Sequence, residues 1–271
     1  MARRIAYAVF ALWFAWIGVF LFDLDVDAAQ AGTTVIRAGQ TATVDSDPIG
    51  DRRKLTLGSG ESWSTAYYVI DRGNGPVVMI VAGIHGNEPA GAAAAERIKE
   101  FPIKRGQLIV LPRANEYGLN RGVRTDASGS DLNRDFPRKR GERADTPLAR
   151  AIWDVVERYR PDWLMDLHEG YDYHVRNSKS VGQSVIYDPN GSPIATAVNH
   201  IVSRLNEVAP KNERFSIIKY PVKGGIARSA SDLLGTNAMI VETNRVHDGM
   251  SQRIRYHEIA VRSLLEHLGM L

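Results

Sequence analysis

The stretch from Val77 to Gly91 constrains the fold more than any other part of the chain. Val77 to Ala82 is an unbroken apolar run, which suits a strand buried on both faces. Gly83 then turns the chain, and His85 and Glu88 follow. Pro89 suits the first position of a helix, and Ala90 to Glu100 reads as that helix. The two polar residues therefore stand on a loop between a buried strand and a helix. That is the carboxyl end of a strand, where open α/β sheets place their ligands.

An imidazole and a carboxylate three residues apart can aim at one point, and both are ordinary zinc ligands. A catalytic zinc takes three protein ligands and keeps one position open. His-x-x-Glu alone is a common chance match, and a histidine beside a glycine is more often only a loop residue. The rest of the chain has to decide.

Composition narrows the options. The 271 residues suffice for one sizeable α/β domain with a real core. A net charge of +3 is too small to point to nucleic acid as a partner. The chain has no cysteine, which excludes disulfides and thiolate metal sites, so any zinc must be held by histidine and carboxylate.

The N-terminus reads as a targeting segment. Arg3 and Arg4 precede an uncharged apolar run from Ile5 to Phe22, at the border between a signal-peptide core and a membrane span. Ala29 to Ala31 offers a cleavage site, set apart from the run by Asp23, Asp25 and Asp27. Residues 1–31 are accordingly a signal peptide or an anchor, and residues 32–271 the folded domain. Either reading exports the domain to a periplasmic or extracellular location, with membrane attachment through residues 5–22 in the anchor case.

Along the rest of the chain, Ala31 to Gly60 reads as a linker leading into β structure, with edge strands at Thr33 to Arg37 and Thr41 to Asp45. Thr65 to Ile70 is a strand, and the turn-rich Asp71 to Pro76 suggests a hairpin into Val77. Gln107 to Leu111 is the next strand, followed by a polar segment from Pro112 to Asp145 with little periodicity. Loops of that length are usually functional or disordered. Thr146 to Tyr159, Ser192 to Val208 and Ser251 to Leu268 have helical spacing, and Trp163 to Leu167, Gln183 to Tyr187, Phe215 to Lys219 and Ala238 to Val241 read as strands. Strands alternating with helices predict one α/β domain with a mixed, mostly parallel central sheet flanked by helices.

Two of these strands end in chemistry. Trp163 to Leu167 runs into His168, so His85, Glu88 and His168 make the two-histidine, one-carboxylate set of a hydrolytic zinc site. Ala238 to Val241 runs into Glu242, costly after a buried strand unless it has a task. Beside an activated water it can serve as general base and then protonate the leaving amine. The bland readings are a strand-end histidine bonded to backbone and a surface glutamate opening a loop. In the polar segment, Asn133 and Arg134 can hold a carboxylate through paired guanidinium hydrogen bonds and an amide. Arg138, Lys139, Arg140 and Arg143 read as a solvated loop.

Gly83 to Glu88, Asp131 to Arg134, Asp166 to His168 and Glu242 follow one another in the order seen in zinc carboxypeptidases. The chain thus resembles that superfamily, including the succinylglutamate desuccinylase/aspartoacylase family, from Val77 to Arg245. The resemblance implies one zinc ion on His85, Glu88 and His168, with Glu242 as catalytic base and Asn133 and Arg134 on the substrate carboxylate. It implies that Asp131 orients a ligating histidine. Arg124 is the arginine it offers for the oxyanion, with Arg121 as the alternative. A tyrosine on a mobile loop is also usual there, and Tyr220 is a candidate beside a core reading of the same residue.

Two departures stand out: position 135 is Asp where the peptidases usually carry Asn, and only Thr243 to Leu271 follows Glu242. Aspartoacylase-type enzymes carry a further β domain there, so an open cleft is expected. The expected function is an exported zinc-dependent amide hydrolase of metallocarboxypeptidase type acting on a small, carboxylate-bearing peptide. The alternative is an N-acyl amino acid deacylase. A non-catalytic binding module on the same fold is disfavoured by Glu242, since a pure binder needs no proton shuttle.

Overall fold

The unbroken apolar run at Val77 becomes the strand β6 (Val77–Ala82), sixth of eleven in chain order among the described residues. A computed structural model describes residues 52–189 and 192–271, with three short strand pieces before them. The predicted targeting run from Ile5 to Phe22 lies outside the described residues, and Gly32–Leu271 forms one compact unit. Val78, Ile80 and Ala82 of β6 face one apolar cluster, while Met79 and Val81 face another. The strand is apolar throughout because it has no solvent side. Each of its larger side chains, fully buried, contributes roughly 1.5–3 kcal/mol.

The sheet around β6 has nine strands in the order β10 (Ser216–Lys219), β9 (Ser184–Tyr187), β11 (Asn237–Asn244), β8 (Trp163–Gly170), β6, β7 (Gln107–Leu111), β5 (Thr65–Asp71), β4 (Arg52–Leu57) and β3 (Asp45–Ser46). Pairing is parallel from β11 through β8 and β6 to β7 and antiparallel from β7 to β3. β9 meets β11 antiparallel and β10 parallel. The strands β1 (Val35–Arg37) and β2 (Gln40–Ala42) form a separate antiparallel ribbon. Helices α1 (Pro89–Ile98), α4 (Ser192–Val208) and α6 (Met250–His267) share one apolar cluster with the sheet. Helices α3 (Pro147–Tyr159) and α5 (Ile226–Leu234) share the other. This is the single mixed α/β domain that the alternation of elements predicts, parallel at its centre from β11 to β7 and antiparallel toward β3 and at the β11–β9 junction.

One expectation fails. Asp71 to Pro76 does not join β5 and β6 as a hairpin, because β7 lies between them, antiparallel to β5 and parallel to β6. The loop instead crosses the start of β7, with Arg72 N–H donating to Gly106 O and Gln107 N–H to Pro76 O. A strand buried on both faces is better served by two parallel neighbours carrying helical crossovers than by a hairpin partner. The polar segment after β7 also holds more structure than its pattern shows, namely α2 (Glu116–Arg121) and a 3-10 turn at Leu132–Arg134.

Parallel pairing brings three strand ends to one edge. Ala82 of β6 stands beside Leu167 of β8, and His168 of β8 stands beside Glu242 of β11. α1 packs closely on β8: a Cβ on Gly91 would lie 2.7 Å from the Leu167 carbonyl oxygen. The metal-motif loop packs as closely on α2, where a Cβ on Gly86 would collide with Gly118 backbone.

Candidate active site

His85, Glu88 and His168 converge at this edge, all buried, with one ligand atom of each within 4.8 Å of the others. Glu88 Oε1 lies 2.8 Å from His85 Nδ1, Glu88 Oε2 lies 2.9 Å from His168 Nδ1, and the two Nδ1 atoms are 3.1 Å apart. These separations approach the edge of a tetrahedron of zinc–ligand bonds, about 3.3 Å for bonds of ~2.0–2.1 Å.

The outward nitrogens are both engaged. His85 Nε2 is 3.1 Å from Asp131 Oδ1, and His168 Nε2 is 2.7 Å from Asp166 Oδ2. A carboxylate on Nε2 selects the tautomer with its proton there, leaving Nδ1 lone pairs turned inward toward each other and toward Glu88. Two lone pairs and a carboxylate facing one point are an arrangement that a cation satisfies, and the donor set fits a divalent metal.

The electrostatics agree. Burial works against the Glu88 carboxylate, but its close contacts with the His168 and His85 rings bring its pKa down to about 2. Burial likewise opposes the charge on Asp131, and His85 and Arg124 hold it well below the usual range. Burial would depress His168, yet Asp166 and Glu88 push it well above its ordinary value. Asp166, Glu88 and Asp131 thus call for positive charge between them, whether a proton or a metal ion.

Glu242 lines the same cavity, and its side chain makes no hydrogen bond or ion pair among the described residues. Burial raises its carboxyl to about 8, with His168 opposing and Glu88 and Asp166 adding to the rise. A buried carboxyl left without a partner near neutrality is placed to exchange protons.

The cavity has a volume of about 450 Å³. Arg124, Asn133, Arg134, Tyr220 and Arg245 line it beside the donors. Arg124 donates to Asp131 Oδ2 from Nη2 at 3.0 Å and reaches Glu88 Oε1 from Nη1 at 3.3 Å. Arg121 stacks on Tyr117 with its guanidinium 3.8 Å from the ring centroid and does not line the cavity. Asn133 is buried, its backbone N–H donating to Asp131 Oδ1 and its Oδ1 accepting from Ile226 N–H. Arg134 is exposed, with Nη1 donating to Asn133 O at 2.8 Å. Tyr220 sits 63% exposed with φ of 66°, which removes its core reading. Asp135 is turned away from the cavity toward Ser130 Oγ and Thr146 Oγ1, so the Asp-for-Asn departure bears on loop structure.

A model of the succinylglutamate desuccinylase/aspartoacylase catalytic domain matches residues 74–268. The chain belongs to that family. Among curated relatives, N-alpha-acetyl-L-2,4-diaminobutyric acid deacetylase of Halomonas elongata is 31% identical over 144 residues, covering 48% of this chain and 41% of that one. Murein peptide amidase A of Escherichia coli is 24% identical over 118 residues, covering 34% of this chain and 48% of that one. The chain thus matches just under half the length of each. Among solved structures, the mDAP-bound form of Helicobacter pylori Csd4, a D,L-carboxypeptidase, superimposes with a TM-score of 0.63 at 19% identity, over 73% of this chain and 52% of that one. The fold is therefore carboxypeptidase-like, and the relatives are hydrolases.

Several site residues escaped sequence reasoning. Asp166 stands two before His168, so period-2 alternation puts both on one face of β8, and that signal was available. Glu169 and Arg245 line the cavity as well. Their neighbours come from α1, α6 and the Asn87 loop, and no local pattern marks those contacts.

Proposed function

We propose that the protein is a zinc-dependent amide hydrolase acting on small peptides that carry a free carboxylate. The observation that supports it most is the single cavity holding His85, Glu88, Glu242 and Arg134, with His168 bonded to Glu88 behind them. His85, Glu88 and His168 would hold one zinc ion, which supplies Lewis-acid activation of water and of the scissile carbonyl. Asp131 and Asp166 keep the two imidazoles in the tautomer that turns Nδ1 inward. Glu242 accepts the proton of the attacking water and hands it to the leaving nitrogen. Arg124, already facing Glu88, supplies positive charge where the carbonyl oxygen becomes negative. Asn133 and Arg134 hold the substrate carboxylate, and Tyr220 closes over it from the rim.

A second reading, an N-acyl amino acid deacylase, is favoured by the family match and by the 31% identical deacetylase. Zinc-loaded protein offered a panel of peptides and acyl-amino acids separates the two. No turnover on either class would remove the hydrolase reading.

Export belongs to this proposal and is supported by the apolar run after Arg3 and Arg4. Proteolysis of the domain in cells with a permeabilised outer envelope is the expected result. Protection there, with cleavage only after lysis, would place the domain inside.

A further inference from the structure

Helix α1 begins in an unusual way. Its N-cap residue is Glu88, whose side chain makes no capping hydrogen bond because it is turned to the two histidines. A helix start leaves backbone N–H groups without partners, and the cap side chain ordinarily accepts from the second or third of them. Here the acceptor comes from another strand. Glu169 Oε1 of β8 takes the Ala90 N–H, second in the helix, at 2.6 Å. Its other oxygen is held by the Arg253 guanidinium of α6. The same residue's backbone N–H donates to Glu88 Oε2 at 3.0 Å. Glu169 is buried, as is Ala90.

We infer that Glu169 is a positioning residue for the metal ligand Glu88: it caps α1 in trans, which releases the Glu88 carboxylate from capping, and it fixes that carboxylate through its own backbone. His168 and Glu169 are consecutive, so one strand end supplies a donor and the brace for the next donor. Arg253 holds the brace from outside the cavity. This inference rests on the reading of His85, Glu88 and His168 as a zinc site.

Reach and charge can be separated. Glu169→Asp keeps the charge beside Arg253 but is one methylene short of Ala90 N–H. Glu169→Gln keeps the reach and loses the charge. Glu169→Ala loses both. Zinc affinity of the full chain, measured by competition with a chromogenic chelator, should weaken about 10- to 100-fold in the Ala and Asp variants, the range expected when a group bracing a ligand is lost. The Gln variant should stay within a few-fold of wild type. Thr146→Ala is the control, since Thr146 Oγ1 caps α3 through Ala149 N–H away from the cavity. It should lower the melting temperature and leave zinc affinity unchanged. Should Glu169→Ala not fold, Glu169→Asp carries the test alone. Wild-type affinity in the Asp variant, or equal weakening by Thr146→Ala, would overturn the inference while leaving the zinc site intact. Failure of wild type itself to bind zinc would remove the site and the inference together.

Discussion

His85, Glu88 and His168 are 4%, 5% and 2% exposed, whereas Tyr171 and Tyr220 on the same cavity are 65% and 63% exposed. The donors stand at or just beyond strand ends, and Asp131, Asp166 and the Glu169 backbone hold their atoms in place. The rim is made of loops: Arg134 is exposed and rests on a single backbone carbonyl, and Tyr220 holds a left-handed backbone conformation. The ring nitrogens of both histidines and both carboxylate oxygens of Glu88 are engaged by neighbours, and buried polar groups so connected specify one arrangement. The rim is exposed and under no such constraint, and exposed loops on a fixed scaffold tolerate change. On the proposed reading, the donor wall would set the chemistry and the rim the substrate.

The comparison breaks most severely if a donor is removed. His168→Ala and His85→Ala should each abolish zinc binding and turnover in the full chain, with metal analysis as the check. Full retention of zinc in both would show that the donor wall is not a metal site. Glu242→Gln comes next: zinc and fold are kept, and kcat falls about 10²-fold or more, because proton transfer in the transition state is lost. An unchanged kcat would move the base elsewhere.

Asp166→Ala tests whether the wall depends on its braces. Zinc affinity should weaken about 10- to 100-fold as His168 loses its tautomer partner. On the rim, Arg134→Ala should raise KM about tenfold for a carboxylate-bearing substrate while kcat changes little. A matched substrate with that carboxylate amidated should be poor for wild type and indifferent to the change. Equal hydrolysis of both by wild type would mean that Arg134 holds no carboxylate.

The smallest change at neutral pH is expected at His257, outside both regions. Burial depresses it to about 3, with His168 and Arg253 adding to the effect, and its Nε2 is 3.3 Å from Thr243 Oγ1. The unfolded chain takes up that proton near pH 6.5 and the folded chain only near pH 3. This contribution to stability is therefore fully present above pH 6.5 and drains away as pH falls toward 3. His257→Leu should lose about 2 kcal/mol less stability than wild type between pH 7 and pH 5 in urea melts. Parallel loss in the two proteins would show that His257 titrates normally.

The donor residues were legible because each follows an apolar strand and carries a side chain that burial makes expensive. His85, His168 and Glu242 each stand out weakly for that reason, and together, in this order along the chain, they stand out clearly. Asn133 and Arg134 were legible as a type of anion binder, and the structure puts both on the cavity. The choice between Arg121 and Arg124 was not, because both lie in a segment without periodicity. Only the packing shows one on Tyr117 and the other on Asp131 and Glu88. The helix α5 and strand β4 went unseen because both are short, which leaves little room for a periodic pattern to show.

By itself the sequence determined the period of each long element, the two-faced burial of β6, and the chemical kinds of side chain available once cysteine is absent. Those are local properties, set by alternation, helical spacing and composition. The tertiary structure decided which strands are neighbours. It put β7 rather than β6 beside β5, and it paired His168 with Glu242 in register. It also brought Glu169 across to cap the helix that Glu88 begins. Strand order and register come from how whole faces bury against one another, an energy summed over the domain, and no window of the chain contains that sum.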